Sequence, residues 1–444
     1  MKLIYNLYVP SISLYKDVII VKNERRKKEM NLRRIISIFF VLVLICGQTW
    51  AKKKGDTYDE LKTFAEVLDI VQKSYVESPS SKELIYGAIK GMLNSLDPHS
   101  SFLTPDEFKE LQIETKGKFG GVGIEITVRE GWLTVVSPIE DTPAYKAGLK
   151  PGDKIIKINN KPTKNMSLNE AVKLIRGPKG TKVTLTIWRK GFVEPKDFEI
   201  TRSIISIKSV KVKTLEDQYG YIRLTSFQEN TSKELAKALN GLEKRHPIKG
   251  VILDVRNNPG GLLDEAVKVA DEFLDEGLIV YTKGRLKGQG MQFVAHKNER
   301  PHHYPIVVLV NEGTASAAEI VAGALQDHHR ALIIGRPTFG KGSVQTIMPL
   351  EDGSALRLTT AWYYTPNGRS IQAKGITPDL IFEQDIEKAK YPHIHIIRER
   401  DLERHLKGEE ELPIEKDEHK ETDFLIDVAL QVLKNWDSFT HLRY

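Results

Sequence analysis

Apolar residues recur at two periods along this chain, and the change of period divides it. Leu61, Phe64, Leu68, Val71 and Tyr75 fall at helical intervals behind a capping-box pattern, Thr57 with Glu60 three residues on, and predict a first helix. Leu84, Ala88, Ile89, Met92 and Leu96 predict a second over about 83–95. Between about Lys116 and Arg202 the period shortens. Strand-like runs at 122–128, 133–136, 154–158 and 183–188 are separated by turns at Glu130-Gly131 and Lys150-Pro-Gly-Asp153. One helix over 167–175 interrupts them, with Ser167 and Glu170 in capping-box positions. Beyond Lys208, strand runs at 221–224, 251–255, 306–310, 332–335 and 344–348 alternate with helical stretches such as 263–273 and 316–326. That alternation predicts an α/β core with parallel pairing. From Asp385 on the chain is charge-rich, with a helical stripe at Phe424, Val428, Leu430 and Val432. The expected domains are a leader (1–54), an N-terminal helical region (55–115), a β-rich unit (116–204), an α/β core (205–385) and a charged, partly helical C-terminal region (386–444).

Composition changes this picture at one place. The chain carries a net charge of +7, but the first 54 residues hold 12 Lys/Arg against 3 Asp/Glu, which leaves 54 basic and 56 acidic residues in the rest. The body is near neutral, which argues against a general nucleic-acid-binding face. Arg33-Arg34 precede the apolar run 35–45, and small or polar residues follow through Ala51. That length fits a secretory signal better than a membrane span of about 20 residues. Export to the bacterial periplasm, or to the outer face of the membrane with the leader as anchor, is expected. Met30 begins a compact version of the same signal, so Met1 and Met30 are both candidate starts. Cys46, the only cysteine, lies in the leader, which leaves the remainder without an internal disulfide.

The candidate chemistry lies in the α/β region. Ser316 stands where the strand run 306–310 gives way to the alanine-rich helix, at a helix start whose unpaired N–H groups favour developing negative charge. Lys341 follows 25 residues later between Gly340 and Gly342, and Gln345 four residues beyond that is placed to orient it. A lysine kept neutral by desolvation can take a serine proton. Asn257-Asn-Pro-Gly-Gly261 is a turn between a strand and a helix N-terminus, a setting that binds an oxyanion. Gly335-Arg-Pro-Thr-Phe-Gly-Lys341 matches seven positions of a phosphate loop, but Gly342 stands where a magnesium-holding hydroxyl belongs, and a strand pattern follows where a helix is needed. His302-His303, His328-His329 and His393-x-His395 lack zinc-ligand spacing, so no metal is expected.

Taken together, Gly91-Met-Leu-Asn-Ser-Leu-Asp-Pro-His-Ser-Ser-Phe-Leu-Thr104, Phe119-Gly-Gly-Val-Gly-Ile-Glu-Ile126, Asp254-Val-Arg-Asn-Asn-Pro-Gly-Gly261, the serine and lysine segments and Lys374-Gly-Ile-Thr-Pro-Asp379 resemble the carboxyl-terminal processing peptidases, tail-specific serine proteases of the S41 class. The resemblance implies a crotonase/ClpP-like α/β protease core with an inserted PDZ-like β-rich domain and helical segments at both ends. It implies Ser316 as acylated nucleophile, Lys341 as general base, Gln345 as its positioner, and the backbone N–H groups of Gly261 and Ala317 as oxyanion hole. Pro143-Ala-Tyr-Lys-Ala-Gly-Leu-Lys-Pro-Gly-Asp153 is similar to PDZ domains, in which a glycine loop, here Gly120, Gly121, Val122 and Gly123, captures a terminal carboxylate. Arg176 is the candidate for coupling that capture to the active site. No cofactor is implied. Expected partners are protein substrates with apolar C-terminal tails, an adaptor or activator, and a second copy of the chain. The alternatives are an inert PDZ scaffold and, far behind, an NTPase.

Overall fold

The structure is a computed structural model that describes residues 56–245, 247–285, 288, 290–298, 301–382, 398–402, 404–406 and 424–439. The basic leader, His393 and His395 lie outside the described residues. The chain divides into two compact units, Met1–Ala88 and Ile89–Tyr444. In the first, α1 (Asp56–Ser74) starts one residue ahead of the predicted cap, so Thr57 sits inside its first turn. Gln72 donates to Ser81 Oγ (2.8 Å), the residue that opens α2 (Ser81–Asn94).

In the second unit, β1 (Ser101–Leu103) leads into α3 (Pro105–Lys116), a helix that periodicity does not reveal because none of its residues is buried. Its signal is local: Glu107 N–H donates to Thr104 Oγ1, the Glu107 carboxylate accepts from Thr104 N–H (2.7 Å), and Pro105 opens the first turn. The β-rich unit follows with β2 (Lys118–Gly121), β3 (Ile124–Arg129), β4 (Trp132–Pro138), the single turn α4 (Pro143–Lys146), β5 (Lys154–Ile158), β6 (Lys161–Pro162), α5 (Leu168–Ile175), β7 (Lys182–Trp188), β8 (Lys196–Thr201) and β9 (Ser203–Ser206). Its sheet runs β3-β4-β5-β7-β8, with β6 on β5, while β2 and β9 form a separate ribbon. The strand expected over 122–128 therefore begins two residues late and runs one residue further. Gly123 takes φ 79°, which a β-branched residue resists, and β3 starts only at Ile124. Leu133, Ile155, Ile158, Leu185 and Ile187 form the fully buried core, onto which α5 lays Ala171 and Ile175. The predicted capping box at Ser167 and Glu170 is in place.

The remaining elements are β10 (Val210–Leu215), β11 (Tyr219–Leu224), α6 (Thr231–Glu243), β12 (Gly250–Asp254), α7 (Leu263–Asp271), β13 (Leu278–Gly284), β14 (Gln292–Val294), β15 (Ile306–Val310), α8 (Ala317–Asp327), β16 (Leu332–Gly335), β17 (Ser343–Pro349), β18 (Ala355–Tyr364), β19 (Leu380–Ile381), α9 (Phe424–Lys434) and α10 (Trp436–Phe439). A sheet in the order β10-β11-β12-β15-β16-β19 is parallel from β11 onward. Alternate residues face opposite ways: Ile222, Leu253 and Val308 pack under α6, α7 and α8, while Tyr221, Ile252 and Val307 pack under α9. Burial on both faces is why these strands read as continuous apolar runs. The stripe predicted for the tail helix holds in part: Leu430 and Val432 are buried as expected, together with Leu425, Ala429 and Leu433, Val428 is half-buried against them, and Phe424 is exposed.

The run 344–348 does not join the parallel sheet as expected. As β17 it pairs antiparallel with the ten-residue β18, whose other edge takes β1 and β13. The segments that follow β12, β15 and β16 at their C-terminal ends are 255–261, 311–316 and 336–342, where parallel sheets present their sites.

Candidate active site

Ser316 lies at the N-terminus of α8 with φ 54° and ψ −117°, a conformation that L-residues rarely adopt, and its side is largely closed to solvent. Such a backbone costs about 1–3 kcal/mol and persists only where the surroundings over-determine it. They do so here. Thr314 N–H donates to Asn311 O (2.8 Å), Thr314 Oγ1 to Val255 O (2.9 Å), and Ser316 N–H to the carboxylate of Glu319 (2.7 Å). The result is a sharp strand-to-helix turn that presents a hydroxyl, although no G-x-S-x-G sequence marks it.

The glycine turn is built against this elbow. Asn258 fixes it three ways: its amide donates to Leu224 O, its side-chain oxygen accepts from Gly260 N–H, and its carbonyl accepts from Ala315 N–H, all at 2.9 Å. Below the turn the buried Asp254 accepts from Tyr221 Oη (2.7 Å) and from Arg256 Nε (2.9 Å) and Nη2 (2.7 Å). Gly260, at φ 99°, leans on Ser316 so closely that a Cβ there would stand 2.9 Å from Ala315 O and Ser316 Cβ and 3.0 Å from Ala317 N. Among the described residues neither Gly261 N–H nor Ala317 N–H meets an acceptor. The two donors anticipated for an oxyanion hole are thus open and belong to segments in van der Waals contact.

Lys341 is held by its backbone. Gly340 N–H (2.7 Å), Lys341 N–H (2.9 Å) and Thr338 Oγ1 (2.5 Å) all donate to Glu319, the carboxylate that also takes Ser316 N–H. These amides, which a phosphate loop would aim at a nucleotide, are committed to an internal anion, and the chain then enters β17 rather than a helix. Burial pushes the Lys341 ammonium below its ordinary value, with Arg357 adding to the effect; Glu399, Glu319 and Asp97 oppose it. Glu319 is fully enclosed, and burial pushes its carboxyl up to about 7 against the pull of its four donors.

Gln345 donates to Ser343 Oγ (2.9 Å) and Thr359 Oγ1 (3.5 Å), and among the described residues no hydrogen bond joins it to Lys341. Burial pushes the pKa of the Tyr363 phenol up to about 12, outweighing the Ser316 hydroxyl, which is near enough to draw it down. Catalytic hydrogen bonds in substrate-free sites commonly form only with substrate in place. Glu319 and Tyr363 were not anticipated. Glu319 had a signal, since Ser316-Ala-Ala-Glu319 has capping-box spacing; Tyr363 is brought in by the β17–β18 pairing and had none.

In the β-rich unit, Gly120 and Gly121 lie in β2 beside β9, and a Cβ on Gly120 would meet Gly177 O at 2.1 Å. Val122 and Gly123 follow with N–H groups that have no acceptor among the described residues, and they open directly onto β3, whose other edge takes no strand. This arrangement can receive a terminal carboxylate and add a peptide as a strand. Arg176, at the end of α5, pairs with Glu110 of α3, and its guanidinium stacks 4.5 Å over the Phe119 ring. His302, His303, His328 and His329 line one cavity of about 380 Å³ at the opposite end of α8 from Ser316. Two of these rings have structural partners: His302 bonds Glu243 (2.7 Å) and Glu272 (3.2 Å), and His328 bonds Leu278 O (2.6 Å).

Residues 218–382 match peptidase family S41, residues 134–189 a PDZ domain, and residues 46–106 the N-terminal domain of the activating protease CtpB. A carboxy-terminal-processing protease of Bartonella bacilliformis is 47% identical over 385 residues, 84% of this chain and 88% of that protein. The carboxy-terminal processing protease CtpA of Bacillus subtilis is 40% identical over 351 residues, 79% of this chain and 74% of that one. Among solved structures, the photosystem II D1 C-terminal processing protease is 33% identical at a TM-score of 0.43, covering 72% of this chain and 92% of its own.

Proposed function

This chain belongs to the carboxy-terminal processing proteases, serine-type peptidases of family S41 that carry a PDZ domain, and from that membership we propose that it is an endopeptidase cleaving exported proteins after its PDZ domain has bound their C-terminal tails. Lys341 Nζ, as the free amine, takes the proton of Ser316 Oγ, which attacks the scissile carbonyl. The N–H groups of Gly261 and Ala317 hold the oxyanion. As the C–N bond breaks, the Lys341 ammonium returns the proton to the leaving amine. Water, deprotonated by the same amine, then releases the acyl group and restores the serine. Gln345 orients the lysine, and no cofactor enters.

The observation that carries this reading is the contact of Gly260 with the strained Ser316 turn, which sets two unpaired amides beside a hydroxyl while one carboxylate ties that turn to the lysine loop. The open amides of Val122 and Gly123 support tail capture, and the Arg176–Glu110 pair supports a route from the PDZ domain to α3. The basic and apolar leader supports export. The exposed Leu61, Phe64, Val67 and Ile70 of α1 support self-association.

The test compares the wild type with Ser316→Ala and Lys341→Ala on an unfolded protein ending in an apolar tail. Cleavage by wild type alone, with kcat/KM rising with pH through a midpoint below lysine's usual 10.5, is the expected result. Full activity in Lys341→Ala overturns the base assignment. A wild type that binds the tail without cutting it points to an activator or to the scaffold alternative.

A further inference from the structure

The loop that carries Lys341 is fixed on both sides of the lysine. Glu319 takes the amides of Gly340 and Lys341. The next amide, Gly342 N–H, donates to Gln372 Oε1 (2.9 Å), and Gln372 is in turn held by Glu399, whose carboxylate accepts from Gln372 Nε2 (2.8 Å). Glu399 lies beyond the S41 match, which ends at residue 382. It is wholly buried in a short 3-10 turn, Glu399–Asp401, whose first amide donates to Phe339 O (3.2 Å) in the lysine loop itself. The same carboxylate receives His99 Nε2 on both oxygens, at 2.6 and 2.8 Å. His99 is fixed by Asp97, which accepts His99 N–H (2.8 Å), and by Arg357 Nε, which donates to His99 O (3.2 Å). A buried carboxylate is retained only where its partners are well made. Here they join a segment about 300 residues upstream to the loop of the base.

We propose that Glu399 is a positioning residue for Lys341, which holds the loop on the C-terminal side of the lysine through Gln372 and supplies one of the negative charges in the lysine's surroundings. This rests on Lys341 being the base. The charged groups that bear most on Lys341 are Arg357 on β18, Glu399, Glu319 on α8 and Asp97 ahead of β1. Arg357 favours the free amine, whereas the three carboxylates favour the ammonium. Removing the Glu399 charge therefore extends the free amine to lower pH. A merely structural role would lower activity without moving the profile.

Glu399→Gln removes the charge and keeps the shape. Its amide oxygen still accepts from Gln372, and its NH₂ can donate to the other tautomer of His99. In the full chain acting on an unfolded protein with an apolar tail, kcat/KM of Glu399→Gln is expected to reach half its plateau about half a pH unit below wild type. Gln372→Met breaks the link to Gly342 without changing charge; it is expected to lower kcat about tenfold, with KM within about twofold and the midpoint unmoved. A Glu399→Gln profile that superimposes on wild type, or a Gln372→Met enzyme with full kcat, overturns the inference. If Glu399→Gln does not fold, the Gln372→Met result decides alone. Lys341→Ala in the same assay separates the two levels. If it is inactive while Glu399→Gln is unshifted, only the role of Glu399 fails; if it is active, the base assignment fails first.

Discussion

Glu319→Gln should disable the enzyme while costing at most about 3 kcal/mol of stability at alkaline pH. The carboxylate accepts Thr338 Oγ1 and Gly340 N–H on one oxygen, and Ser316 N–H and Lys341 N–H on the other. An amide keeps one acceptor oxygen, so two of these donors must face an NH₂. Leaving a buried donor unpaired costs about 1–3 kcal/mol, hence about 2–6 kcal/mol for the pair. Against this stands the charge that glutamine does not carry. Burial lifts Glu319 from 4.5 to about 7, and at about 1.4 kcal/mol per tenfold that is about 3 kcal/mol of destabilisation when the group is ionised. The net loss above pH 8 is therefore at most about 3 kcal/mol. Because the folded-state value is raised, the wild type gains stability as pH falls from about 7 towards 4.5, and the glutamine variant does not. Its deficit should widen by up to about 3 kcal/mol between pH 8 and pH 5, measured by urea unfolding at both. Ser316 and Lys341 lose their shared anchor, so kcat at pH 8 should fall about 100-fold. Activity within twofold of wild type, or a deficit that does not change with pH, would refute the reasoning.

Three other substitutions probe different parts of the structure. Gly260→Ala puts a Cβ 2.9 Å from Ser316 Cβ at φ 99°; kcat should fall at least about 100-fold, with loss of labelling by a serine-reactive fluorophosphonate, and unchanged labelling would contradict the contact. His302 is buried, which lowers its pKa, but Glu272 and Glu243 outweigh this and leave it raised above 6.5. Its stabilisation is therefore present below pH 6.5 and lost as pH rises through the folded value, so His302→Gln should cost about 1–3 kcal/mol at pH 6 and progressively less towards pH 9 in chemical unfolding. Arg176→Ala severs the contacts with Glu110 and Phe119, and the ratio of cleavage rates for substrates with and without an apolar tail should fall towards one; an unchanged ratio removes Arg176 from the coupling.

What the sequence revealed depended on how local the cause was. Ile306–Val310 and Leu332–Gly335 were placed to the residue because strands buried on both faces are apolar throughout. Ser167 and Glu170 were legible because a capping box is complete within four residues. The same device at Thr104 and Glu107 passed unnoticed, since α3 buries no side chain and shows no period to draw attention to it. The apolar run of β17 predicts a strand but not its sheet, because its partner is decided by the hairpin to β18 and not by its own residues. The stripe of the tail helix is legible at Leu430 and Val432, whereas Leu425 takes the inward place expected of Phe424 and Ala429 is buried beside the half-buried Val428. Serine, lysine and the glycine turn could be picked out one at a time; the carboxylates behind them were legible only in part, Glu319 by its spacing from Ser316 and Glu399 not at all.

Those carboxylates answer a difficulty that any lysine base faces. The amine must lose its proton near neutral pH, which calls for desolvation, and it must be held still, for which the usual means is an ion pair that raises the pKa instead. For Lys341, the base proposed above, the two demands fall on different atoms. Glu319 and, through Gln372, Glu399 grip the amides of residues 340, 341 and 342, so the lysine is located by its backbone while its ammonium is left without an ion-pair partner among the described residues. The residual attraction of these carboxylates is countered by Arg357, the largest influence on the lysine after burial itself. Arg357 is in turn kept in place by donating to His99 O, on the residue whose ring holds Glu399. On the proposed assignment, position and basicity are set by one connected group of side chains, which is why a charge change at Glu399 and a bond broken at Gln372 should separate into a shifted pH profile and a reduced kcat.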